Sequence, residues 1–63
     1  DPLTDEFDVT NEKQTIHVME YQIRGTEEYR YVTNFEYQGI HYRLKGIMKR
    51  SDFEEILKNL YYF

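Results

Sequence analysis

The chain has 63 residues with a formal net charge of −4; seven are tyrosine, four phenylalanine, and none is cysteine or tryptophan. One domain of this size buries only about 60% of its unfolded surface, so its stability margin is narrow. The absence of cysteine rules out a disulfide staple, two histidines without a cysteine partner argue against a structural zinc, and no apolar run is long enough for a membrane span or a signal-peptide core.

The charge is unevenly divided. Residues 1–28 hold eight acids and two bases, residues 29–63 four acids and six bases, which gives −6 against +2. Internal complementarity with a solvated acidic face is the simplest reading, and a patch that steers a partner is the sharper one. The chain opens Asp1-Pro2 without a methionine, so we expect a processed or excised piece of a longer protein, a removed tag accounting for the same observation.

Residues 1–14 read as an acidic lead-in. Within it Phe7 and Val9 alternate with Glu6, Asp8 and Thr10, the pattern of a short edge strand, and Asn11-Glu12-Lys13-Gln14 reads as a turn. Thr15 to Arg24 reads as a strand carrying Ile16, Val18, Tyr21 and Ile23. Its apolar phase passes from even to odd positions after Val18, which predicts a bulge near Met19-Glu20 or a strand covered on both faces at its start. Arg24-Gly25-Thr26-Glu27 then turns the chain.

From Glu28 to Tyr37 the odd positions are Tyr29, Tyr31, Thr33, Phe35 and Tyr37, and polar residues dominate the even ones. This is the alternation of a half-buried strand. Beyond Gln38-Gly39 the apolar residues fall on even positions (Ile40, Tyr42, Leu44, Met48), as a two-residue turn demands. The implied register pairs Tyr37 with Ile40, Phe35 with Tyr42, Thr33 with Leu44 and Tyr31 with Gly46, the last suggesting a ring over a glycine or a bulge. Ser51-Asp52-Phe53-Glu54 has the spacing of a capping box. Phe53, Ile56, Leu57, Leu60 and Tyr61 form one apolar stripe of a helix over residues 51–62. The expected fold is α+β: one domain, a three- or four-stranded antiparallel meander with its strands in residues 15–48 and an edge strand ahead of them, then one C-terminal helix on one face.

Catalytic chemistry finds few candidates. Ser51, the only serine, is assigned to the helix cap, and no threonine is N-terminal. His41 should stand opposite Glu36 as a surface pair, and His17 has no evident carboxylate partner. No carboxylate pair occupies an evident cleft, and the glycines at 25, 39 and 46 make no phosphate loop. No catalytic residue, metal or cofactor is expected. Arg30, Arg43, Lys45, Lys49 and Arg50 lie near tyrosines, but the overall acidity argues against nucleic acid. Protein contact is the remaining class. Tyr29, Tyr31, Tyr37, Tyr61, Tyr62 and Phe63 are the candidate interface, since tyrosine is enriched at such surfaces and one helix is short of area to hide them. A homodimer would use the same surface, and Asp5, Glu6 and Asp8 form a candidate acidic patch.

Gly39-Ile40-His41-Tyr42-Arg43-Leu44-Lys45-Gly46, followed by Ser51-Asp52-Phe53-Glu54-Glu55-Ile56-Leu57, resembles the C-terminal part of an uncharacterised extracytoplasmic domain of Gram-positive anti-sigma-factor-like membrane proteins. The resemblance covers residues 28–62 and implies a non-catalytic, extracytoplasmic sensing or interaction module at the outer end of a membrane-anchored regulator, with no insertion by this segment. The alternative, from charge alone, is a free-standing small acidic cytosolic protein that inhibits or mimics by occupying a basic site on a partner.

Overall fold

The computed structural model describes residues 2–60. Four strands, β1 (Leu3–Thr10), β2 (Thr15–Gln22), β3 (Tyr29–Tyr37) and β4 (Ile40–Ile47), precede one helix, α1 (Arg50–Lys58). The sheet order is β1-β2-β3-β4 with every neighbour antiparallel, so the meander has four strands. Its first, of eight residues, takes up most of the acidic lead-in.

Gln38 and Gly39 have φ of 52° and 79°, the two positive values that a type I′ turn requires and whose twist suits a hairpin. They set the register implied by the sequence, from Tyr37 opposite Ile40 to Tyr31 opposite Gly46, with no bulge between. The space over Gly46 belongs to another residue than expected. A Cβ there would stand 2.6 Å from the Met48 methyl, so the glycine makes room for Met48 and not for a tyrosine ring.

The predicted bulge in β2 is absent, and the irregularity lies on the neighbouring strand. Leu3 pairs with Tyr21 and Asp5 with Glu20, which leaves Thr4 as the extra residue in β1. The even positions of β2 keep one face throughout: Ile16 and Val18 are buried, and Glu20 follows them, opposite Tyr31. Met19 and Tyr21 take the other face. A carboxylate on the helix side needs donors, and two hydroxyls supply them: Tyr31 donates to Glu20 Oε1 at 2.9 Å and Thr4 to Oε2 at 2.9 Å. Burial first, and then the bond to Glu20, pushes the Tyr31 hydroxyl up to about 12.

Val9, Ile16, Val18, Tyr31, Phe53 and Leu57 form the core. The Phe53 ring stacks on Tyr31 with centroids 5.5 Å apart, and Phe7 meets Tyr31 edge-on at 6.1 Å. Thr33, fully buried, donates to the His17 carbonyl at 2.6 Å. Buried hydroxyls with acceptors of this kind avoid the 1–3 kcal/mol or so that an unmet polar group costs.

The helix starts two residues earlier than the capping-box reading places it. Lys49 is the N-cap, with no side-chain cap bond, and Ser51 lies inside the first turn. The Lys49 carbonyl accepts from Asp52 and Phe53. Arg50 fixes the start: its guanidinium lies 3.6 Å over the Phe7 ring centroid and donates to Asp5 at 3.1 Å. With Phe53 and Leu57 turned inward by that anchor, Ile56 is 45% exposed and leaves the expected apolar stripe. At the other end α1 stops at Lys58, with Asn59 as C-cap. The Asn11 side chain reaches across from the β1–β2 turn to donate to the Leu57 carbonyl at 3.0 Å, while its oxygen accepts from the backbone of Lys13 and Gln14. One amide thereby closes a turn and covers an orphan carbonyl of the last helical turn.

Phe53→Ala should cost about 3–5 kcal/mol, enough to unfold most of so small a domain, while Ile56→Ala should cost less than about 1 kcal/mol. Asn11→Ala should cost about 1–3 kcal/mol through the donors and carbonyl it strands. Urea unfolding followed by circular dichroism checks all three, and equal effects of F53A and I56A would contradict the helix orientation.

Candidate interaction face

Because side chains alternate along a strand, the residues out of phase with the core positions share the opposite face. Among the described residues no element covers that face. Two cross-strand rows run over all four strands. One is Glu6, Met19, Val32, Lys45, and the next is Leu3, Tyr21, Arg30, Ile47, each neighbour paired in register. Met19, Tyr21 and Val32 are half-buried by their neighbours, and Leu3 and Ile47 are each 50% exposed. Met19, Tyr21, Arg30, Val32, Lys45 and Ile47 border a shallow concavity of about 800 Å³.

Charge grades across this face from β1 to β4. Glu6 and Asp8 stand on β1, and Arg43 and Lys45 on β4. His17 bridges the acidic side, with Nδ1 2.9 Å from Asp8 Oδ1 and Nε2 3.5 Å from Glu6 Oε1. The expectation that His17 lacks a carboxylate partner is thus corrected: the β1 register, which the sequence leaves open, puts Asp8 directly opposite it. Hydrogen bonding to Asp8 and then to Glu6 raises the His17 pKa above the ordinary 6.5. His41 does face Glu36, at 3.4 Å, with both side chains largely exposed.

The other candidates scatter. Tyr31 is buried and Tyr29 packs against the core; Tyr37 is half-buried beside the hairpin turn. Tyr61, Tyr62 and Phe63 lie outside the described residues. Asp5 sits on the helix side, 3.1 Å from Arg50, while Glu6 and Asp8 belong to the open face. The sequence reading missed Met19, Tyr21, Val32 and Ile47 as a group. Their signal was present in the apolar residues at off-phase positions, Val32 among the even residues of β3 and Met19 and Tyr21 among the odd residues of β2. The face holds an apolar band flanked by opposite charges, a chemistry suited to a protein surface. Among the described residues no group of three or more acidic or histidine side chains could hold a metal ion, and no helix is long and apolar enough to cross a membrane.

A raised folded pKa means that charged His17 favours the folded state. That contribution is complete below about pH 6.5 and fades as the pH rises through the folded value. NMR titration should place the His17 midpoint above 6.5, and Asp8→Asn should lower it; an unshifted midpoint would contradict the bridge. Comparison of the chain with protein-family models, with curated proteins and with solved structures gave no match.

Proposed function

We propose that this chain is a non-catalytic protein-interaction module that docks through the uncovered face of its sheet. The observation that carries this reading is the apolar band of Leu3, Met19, Tyr21, Val32 and Ile47. A solvent face of an antiparallel sheet ordinarily carries polar residues, and a contiguous exposed apolar patch marks an interaction site. The resemblance over residues 28–62 supports a place for the module at the extracytoplasmic end of a membrane-anchored regulator. The division of the acids supports this reading over a basic-site mimic, because Asp5 points to the helix side and Glu6 and Asp8 to the open face, so the three do not present one patch.

A photo-crosslinking residue placed at Val32, in cells that make the protein, tests the proposal. Capture of a protein from position 32, in the membrane fraction, is the expected result. Position 56 is exposed on the opposite side and serves as the control; no capture from 32, or equal capture from both, would overturn the reading.

A further inference from the structure

The two rows of the open face are complementary to themselves. We infer that the occupant of this face is a second copy of the same chain, related by a two-fold axis that lies in the interface between the two sheets and runs along the strands between β2 and β3. The inference rests on the docking-surface reading above and names the partner.

Such an axis lays β1 of one copy over β4 of the other and β2 over β3. Each row then meets itself reversed. In the first row Glu6 meets Lys45 of the second copy, and Met19 meets Val32, twice over by symmetry. In the second row Leu3 meets Ile47, and Tyr21 meets Arg30, an aromatic face against a guanidinium. Two residues further along, Asp8 approaches Arg43. The Glu6 row then has an apolar centre with an ion pair at each rim, the arrangement found at stable interfaces, while the Leu3 row sets apolar pairs at its rims about a Tyr21–Arg30 centre. The usual offset of about 30° between packed sheets displaces the rim pairs by less than the length of a lysine or glutamate side chain.

Alternative two-folds fail on charge. An axis across the strands would set β1 on β1 and bring its acids Glu6 and Asp8 against the same acidic strand of the other copy, where like charges are repelled. The area is adequate as well. Four strands about 4.8 Å apart and eight residues long at about 3.3 Å per residue present about 500 Å², so two faces bury about 1,000 Å². This reaches the threshold for a specific interface but lies below the standard size, so the dimer is reversible and concentration-dependent. Each copy keeps its helix on the outside, producing a four-layer assembly of helix, sheet, sheet, helix.

Sedimentation velocity of the purified chain tests this. With a monomer of 7.8 kDa, the sedimenting mass should double between micromolar and millimolar concentration. Glu6→Lys and Lys45→Glu should each weaken the dimer at least tenfold while leaving the circular dichroism unchanged. Mixing the two variants should restore association, because every rim pair is again of opposite sign. Lys45→Glu guards against a side effect of Glu6→Lys, which also removes a His17 partner. A monomer at all concentrations would overturn the inference, as would a dimer indifferent to both variants, which would point to pairing through the β1 or β4 edge. Should the chain remain monomeric while position 32 still captures another protein in cells, self-pairing falls and the interaction reading stands; failure of both removes both.

Discussion

The contact between Tyr31 and Phe53 is the point on which the molecule depends. A nine-residue helix has little area with which to hold a four-stranded sheet, and it does so by setting one ring on another at 5.5 Å. That choice has consequences in sequence. A buried tyrosine brings a hydroxyl, the hydroxyl requires an acceptor, and Glu20 is drawn onto the helix side to provide it. Glu20 in turn has a second oxygen to satisfy, and Thr4, displaced as the extra residue in β1, supplies the donor. The strand irregularity, the half-buried carboxylate and the helix position are one linked arrangement. Arg50 completes it by tying the helix start to both Phe7 and Asp5.

Among the described residues a single helix packs on the sheet and leaves its other face wet, and period-two alternation decides which residues are left there. Had that face been uniformly polar, the sheet would be a complete solvated layer. It carries instead Met19, Tyr21, Val32 and the exposed Leu3 and Ile47, between acids on one edge strand and bases on the other. The asymmetry of −6 against +2 in the two parts of the sequence is seen here in spatial form: a meander keeps chain order across the sheet, so an acidic first strand and a basic fourth strand become opposite rims of one surface.

The hairpin was legible because two independent signals agreed. The inverted apolar phase and the Gln38-Gly39 turn specify the same register, and any slip would have set aromatics opposite charges. The helix was legible in extent near Phe53 and Leu57 but not at its start, since Ser51 and Glu54 satisfy the spacing of a capping box whether or not the chain uses it. A tertiary anchor, Arg50 on Phe7, outweighed that local preference. The phase change in β2 is real in sequence, but a half-buried glutamate on the helix side breaks the apolar pattern there, so Met19 and Tyr21 mark the opposite face and not a bulge. The His17 bridge was hidden for a different reason. It depends on the register of β1 with β2, and the sequence of an edge strand with few apolar residues leaves that register open.

On the proposed self-pairing, the two faces of one sheet have separate duties, one holding the core and the other meeting a second molecule of the chain. Amide NMR spectra recorded over a dilution series test it most directly. The account predicts that the resonances of Met19, Tyr21, Val32 and Ile47 shift progressively with concentration while those of Phe53 and Leu57 stay fixed. Shifts confined to Phe53 and Leu57, or none at any residue, would contradict it.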